Sequence, residues 1–224
     1  MEAELRRLAA SRYHDRHPFN RRMHEGDLSP DELRTWVANR FYYQCHIPIK
    51  DAFILSKLES AAHRRSWIRR IQDHDGTTDA EGGIERWLRL GEAVGLDRCE
   101  LTEHRRLLPG VRLAVDGYVN FCRTRSALEA VASSLTELCA PQIMLTRLDA
   151  FPRCYPWIAA EGLEYFQRRV PQGRRDGSEA LTWVKQWAIT AEQQERALAA
   201  LSFKCDVLWS LLDSVQHAGD GSTR

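Results

Sequence analysis

The sequence predicts an all-α fold, a compact helical bundle, on three observations: strand signals are almost absent, helical periodicity recurs from end to end, and capping patterns that start helices punctuate the chain. A first helix is expected near 2–13. Ser29-Pro30-Asp31-Glu32 then supplies a capping Ser, Pro at the first helical position and a Glu placed to reach back to the cap N–H, so a long helix is expected over 30–58. Helices near 61–74, 80–95 and 98–124 follow, with Pro48 and Pro109 as the points where two of these elements kink or split. The patterns Ser126-x-x-Glu129 and Thr190-x-x-Gln193 start helices over 127–149 and 191–216, and two more are read over 156–170 and 178–189. The intervening stretch 171–177, with one Pro and two Gly, is the clearest linker, but it is too short to separate domains. The 224 residues, 43% hydrophobic, suffice for one core, so 1–217 reads as a single catalytic domain and 218–224 as a disordered polar tail.

Charge and composition exclude several classes of function. Lys+Arg 32 against Asp+Glu 31 gives none of the basic excess of a protein that grips nucleic-acid phosphates. The Arg-Arg pairs starting at 6, 21, 64, 69, 105, 168 and 174 are scattered, and most read as solvated helix faces. No N-terminal apolar stretch of signal-peptide type occurs, and no apolar run approaches the roughly 20 residues needed to cross a bilayer, so a cytoplasmic protein without a membrane partner is expected. Six cysteines, at 45, 99, 122, 139, 154 and 205, form no C-x-x-C pair and mostly sit beside apolar residues; reduced, buried thiols are expected.

The informative residues are polar ones that fall in phase with a buried helical stripe, because each must find partners in the core or line a cavity. On the second helix Leu33, Trp36 and Val37 lead to Arg40, Tyr43 and Gln44 before Ile47 restores the stripe. The next runs Trp67, Arg70, Ile71, His74, and the last runs Ala197, Leu201, Lys204, Leu208, Leu211. Val111, Ala114 and Val115 lead to Tyr118; Ile158 and Gly162 lead to Tyr165 and Arg169; and small residues flank Glu137 on one face of the helix from 127. Any one of these is ordinary as a satisfied core group. Together they direct cations, an imidazole, phenols and a carboxylate inward from several helices, which is costly unless a polar ligand or network receives them. The cations Arg40, Arg70, Arg169 and Lys204 suit an anionic ligand. His74 lies near a helix end before Gly76, where the C-terminal dipole and the flanking Asp73 and Asp75 favour a basic imidazole, which makes it the leading general-base candidate.

Metal catalysis in a helical bundle commonly uses paired Glu-x-x-His motifs, and this chain has none. His14-x-x-His17 has ligand spacing but no matching carboxylate helix, and His17 precedes Pro18, where a helix normally ends. Glycine-rich phosphate loops, a Gly-x-Ser-x-Gly elbow and a dinucleotide fingerprint are also missing. The chemistry therefore falls to side chains acting on an intrinsically reactive substrate.

The segments Tyr13-His14-x-x-His17-Pro18-Phe19, Trp36 through Gln44, Ile47 through Asp51, Asp73 through Gly76, Leu135 through Leu138 and Phe203 through Trp209 are similar, in order and over almost the whole chain, to those of the pyrroloquinoline-quinone synthase family. The resemblance implies a helical fold like that of haem oxygenase and the TenA proteins, a homodimer, and no metal or organic cofactor. It implies ring closure and oxidation of a bicyclic tricarboxylic quinone precursor by O2, with pyrroloquinoline quinone (PQQ) as product and release of hydrogen peroxide. Carried over by position, it marks Tyr13, His14, Arg40, Gln44, Arg70, His74, Tyr118, Glu137, Arg147, Tyr165, Arg169 and Lys204 as pocket residues. It implies His74 as the principal base, with Arg40, Arg147 and Lys204 holding carboxylates or quinone oxygens and Tyr165 with Arg169 bordering the oxygen site; His14 joins this catalytic set. Arg40 and Gln44 would touch the ligand and Tyr43 would support them. The sequence departs from the family at Met144, where a pocket histidine is usual, and that leaves a non-catalytic PQQ-binding or delivery protein as the alternative. A related hydrolase of anionic heterocycles would call for a pocket cysteine nucleophile, and no cysteine here has a basic partner in sequence.

Overall fold

The computed structural model describes residues 1–221, with side chains through Ala218. The long helices form as expected. α1 spans Glu2–Arg12. Ser29 caps α3 (Pro30–Leu55) in a capping box with Glu32, and Ser126 does the same with Glu129 for α8 (Ala127–Ser133). Thr190 accepts the N–H of Gln193, and the Gln193 amide accepts the N–H groups of Ile189 and Thr190, where α11 (Ala191–Gly221) begins. Ser60 caps α4 (Ala61–Asp75).

Several boundaries differ from expectation, each for a local reason. Pro18 starts a helix instead of ending one: it occupies the first turn of α2 (Pro18–Glu25), and the His17 ring caps it by accepting the Phe19 N–H at 3.1 Å. Pro48 does not break α3. The bond to Gln44 is forfeited, but this helix is packed against α4 and the helix over 109–124 and buried on most faces from Trp36 to Gln44, so tertiary contact outweighs the lost hydrogen bond. Pro109 does split its helix, into α6 (Arg98–Thr102) and α7 (Pro109–Thr124). The helix expected over 127–149 is interrupted by a 3-10 turn, Ser134–Leu138, before α9 (Ala140–Cys154), which carries Pro141 in its first turn. The segment expected over 80–95 begins as the second strand of a short antiparallel hairpin, with Gly76 opposite Glu81 and Thr77 opposite Ala80, before α5 (Gly83–Ala93).

The largest correction is at 171–177, which is not a linker. α10 runs unbroken from Glu164 to Trp187 through Pro171. Its glycines serve close approach: a Cβ at Gly177 would lie 3.0 Å from the Leu138 backbone N, and one at Gly173 would lie 3.3 Å from the Pro141 ring. The 3-10 turn at 134–138 therefore lies directly on α10. α11 is helical to Gly221, past the expected start of the tail at 218, and residues 222–224 lie outside the described residues.

α3 is central, bordered by α4, α5, α7 and α11, while α10 packs on α9. Trp36, Trp87, Phe151 and Phe166 close the core by edge-on contacts, with ring centroids 5.4 Å apart for Trp36–Trp87 and 5.5 Å for Phe151–Phe166. All six cysteines are free, but only Cys122 and Cys205 are fully buried; Cys99 is exposed and the others half-buried. The described residues contain no helix long and apolar enough to cross a membrane.

Candidate active site

Buried charge locates the site better than open volume does. A wide surface groove lies among Leu58, His63, Leu128 and Trp187, but the buried ionisable groups converge elsewhere, on a narrow cavity of about 10 Å³ between α3, α4, α7, α10 and α11. Of the expected residues, Arg70, His74, Tyr118, Glu137, Arg169 and Lys204 line it, together with Tyr43, Lys50, Asp51, Ser134, Thr136 and Asp176. Tyr13, His14, Arg40, Gln44, Arg147 and Tyr165 do not line this cavity. They are buried beside it and connect to it through Tyr43 and Glu137. Arg40 lies 4.1 Å over the Tyr43 ring, and the Tyr165 hydroxyl donates to the Gln44 amide oxygen at 2.8 Å. Tyr43 thus faces this cavity while Arg40 and Gln44 stand behind it: on α3, Tyr43, Ile47 and Lys50 share the wall facing α7.

Three of the six buried cations, Lys50, Arg70 and Arg169, are paired with carboxylates. Lys50 donates to Asp51 at 2.7 Å and Arg169 to Glu137 at 2.6 Å. Asp176, from the segment read as a linker, collects Arg70 at 3.8 Å, Arg169 at 3.7 Å and Arg175 at 2.6 Å. Burial would raise the Asp176 carboxyl, but the three guanidinium groups outweigh it and hold it below the usual range. Arg40, Arg147 and Lys204 have no carboxylate within ion-pair distance among the described residues. Arg147 donates to the Asn20 amide oxygen at 3.2 Å and lies 5.0 Å over the Trp36 ring, and burial with the neighbouring Arg40 pulls its guanidinium down to about 9. Lys204 donates to the Tyr43 hydroxyl at 2.8 Å and sits 3.5 Å over the Tyr118 ring; burial, then Lys50 and Arg40, push its ammonium well below the ordinary lysine value.

His74 overturns the expectation of a basic imidazole. The ring is buried, and burial followed by the Arg169 charge lowers its pKa to about 3, outweighing the bond to the Arg70 carbonyl and the Asp176 charge. Its Nδ1–H donates to the Arg70 carbonyl at 3.0 Å, so Nε2 carries the lone pair, and Nε2 has no hydrogen-bond partner. His14 Nδ1, Arg70 Nε and Arg147 Nε are likewise buried without partners. Of these, His74 Nε2 and Arg70 Nε belong to residues of the cavity wall, where a polar ligand could satisfy them. Met144 is buried on the same face of α9 as Arg147, one turn away. Among the described residues no group of three or more His, Cys, Asp or Glu is arranged to hold a metal ion.

These depressed imidazoles carry a testable consequence. His14 and His74 have folded pKa values below the ordinary 6.5, and His24 falls to about 4, so below pH 6.5 the unfolded chain binds more protons than the folded one. Stability is then fully present above pH 6.5 and is lost as pH falls. Each fully buried imidazole contributes a slope of about 1.4 kcal/mol per pH unit. Urea unfolding between pH 7 and pH 5 is expected to show this loss, and a flat profile would contradict it.

Sequence phase found Arg40, Arg70, Arg169, Lys204 and His74 and put Ser134 on the Glu137 face, but it missed Lys50, Arg147, Asp176, Thr136 and Asn20. Asp176 was hidden by glycines that resemble loop residues, Thr136 by a 3-10 turn and Asn20 by a short helix with no readable period.

The TENA/THI-4/PQQC family model matches residues 2–214. Pyrroloquinoline-quinone synthases from Pseudomonas aeruginosa (strain LESB58) and Cronobacter sakazakii are 55% and 52% identical, over 92% and 97% of this chain and 82% and 86% of theirs. The enzyme of that name from Gluconobacter oxydans is 48% identical over 97% of this chain and 91% of its own. Among solved structures, a domain of unknown function with a heme oxygenase-like fold from Shewanella denitrificans aligns with a TM-score of 0.80 at 12% identity, covering 98% of this chain and 91% of that one. A TenA homologue from P. horikoshii gives 0.75 at 13%, covering 96% and 97%. At these identities the solved structures show the heme oxygenase-like fold alone, while the match over nearly the whole sequence shows that the chain belongs to the TENA/THI-4/PQQC family.

Proposed function

We propose that this chain is a pyrroloquinoline-quinone synthase, performing the final step of PQQ formation: O2-dependent ring closure and oxidation of a bicyclic tricarboxylic quinone precursor, with release of hydrogen peroxide. The synthases to which it is about half identical support the reaction, and one observation carries the substrate class. In and around the cavity, the cations Arg40, Lys50, Arg70, Arg147, Arg169 and Lys204 face the carboxylates Asp51, Glu137 and Asp176, which leaves a formal surplus of three positive charges. A tricarboxylate neutralises that surplus, and Arg40, Arg147 and Lys204 are the cations left to receive it.

In this reading His74 Nε2 accepts a substrate proton, the resulting electron-rich anion passes electron pairs to O2, and each O2 takes up two electrons and two protons to leave as hydrogen peroxide. Arg169, fixed by Glu137 and Asp176, and Tyr165 border the place where oxygen is reduced; His14, Tyr13, Gln44, Arg70 and Tyr118 orient the rings and carboxylates. No metal or organic cofactor takes part, and the working form is a homodimer, as the resemblance implies; light scattering at two chains per particle checks the latter. Purified protein mixed aerobically with the bicyclic precursor is expected to consume O2 and develop the quinone spectrum without added metal. An unchanged spectrum overturns the reading.

Met144 supports a second reading, because a thioether on the Arg147 face neither donates nor accepts a proton. A quinone-binding protein without turnover would bind PQQ tightly with no O2 uptake, and Met144→His would then raise turnover.

A further inference from the structure

We propose that an open groove between α4, the 76–81 hairpin and α10 is the route by which the tricarboxylate reaches the His74 cavity, and that Arg175 is the latch between the two. The proposal rests on the reading of that cavity as a tricarboxylate site. The groove, about 370 Å³, is lined by Arg69, Arg86, Arg168 and Arg175 against the carboxylates Asp73 and Glu81. The two spaces share their walls residue by residue. α4 gives Asp73 to the groove and the next residue, His74, to the cavity. α10 gives Gln172 and Arg175 to the groove, and Arg169 and Asp176 to the cavity.

One layer of side chains therefore separates solvent from the site, and the Arg175 guanidinium spans it, bound to Asp73 on one side and to Asp176 at 2.6 Å and 3.0 Å on the other. Exposure falls across the latch, from 29% for the Arg175 side chain and 19% for Asp73 to 3% for Asp176. Opening it strands no buried charge, because Asp176 keeps Arg70 and Arg169 at under 4 Å when Arg175 swings outward. An arriving ligand carboxylate can take the place of Asp73 against Arg175, exchanging one ion pair for another. The moving part is a side chain, not the hairpin. Gly82 packs so tightly on the His74 carbonyl and Gly76 N–H that even a Cβ would not fit, so the backbone beside the latch is fixed. Glu164 holds Arg86 and Arg168, and Glu179 holds Arg69, which presents the guanidinium groups around the mouth where they attract an anion at low salt.

Stopped-flow mixing of the whole protein with PQQ, followed by tryptophan fluorescence, tests the route. Arg175→Gln is expected to raise the association and dissociation rate constants together by about tenfold while Kd stays within about twofold, as for a barrier lowered equally from both sides. Arg168→Glu, at an exposed rim position, is expected to slow association about fivefold at low ionic strength and to have no effect near 0.5 M salt, where screening is nearly complete. Unchanged association in both variants, or an Arg175→Gln effect on dissociation alone, overturns the route while leaving the site reading intact. Should Arg175→Gln fail to fold, the Arg168→Glu rates decide. Failure of the unsubstituted protein to bind PQQ at all overturns both the route and the site reading.

Discussion

His74→Asn is expected to slow conversion of the bicyclic precursor by about 10²–10⁴-fold while leaving product affinity within a few-fold, the signature of a lost proton-transfer group. Asparagine retains an N–H near the position that bonds to the Arg70 carbonyl, so the α4 end is preserved while the Nε2 lone pair is removed. The pH dependence distinguishes this base from an ordinary histidine. With a pKa of about 3 in the free protein, His74 stays neutral throughout the mildly acidic range, so kcat/KM is expected to show no acidic limb near 6.5 from this ring. A bound trianion stabilises the imidazolium, so any such limb belongs in kcat, which reports the complex. Single-turnover spectra of His74→Asn at pH 5, 6 and 7 check both statements, and wild-type-like rates would remove His74 from the mechanism.

Lys204→Met is expected to move stability and binding in opposite directions. The amine is buried with no carboxylate partner and two cations nearby, so replacing it with an apolar chain of similar length is expected to stabilise the unliganded protein. The same change removes one of the three cations available to the ligand and should weaken PQQ binding by about 10²-fold or more, in the range for truncating a buried charge pair. Proton uptake gives an independent readout. Because Lys204 is held well below its ordinary pKa in the free protein, an arriving anion draws a proton onto it. Calorimetry in buffers of different ionisation enthalpy is expected to show uptake that disappears in Lys204→Met. Destabilisation together with unchanged affinity would contradict the assignment.

Much of this was legible in sequence because helix phase is a strong signal. Arg40, Arg70, Arg169 and Lys204 all fell on buried stripes and all are buried. Phase gives direction but not depth, so it did not show that Tyr43 would reach the cavity while Arg40 and Gln44 stood behind it. It also did not weigh burial against the helix dipole at His74, since desolvation depends on what packs there from other elements. Arg147 and Tyr13 came only from the resemblance: α9 is apolar on two faces, and Tyr13 terminates α1 in extended backbone. The false linker has a single cause, that Pro171, Gly173 and Gly177 are permissive locally while contacts far away in sequence decide.

That same stretch bears on how the protein can be handled. Arg169 and Asp176 are seven residues apart on one helix, about 10.5 Å along its axis, so the rod between them fixes the spacing of two groups that face the same cavity. Deleting or adding a single residue there would rotate everything beyond it by about 100° and carry Asp176 away from its arginines. The segment that by composition invites a tag, a split point or a permuted terminus is therefore among the least suitable places in the chain for one, and a library that randomised its length would return mostly misfolded or empty proteins.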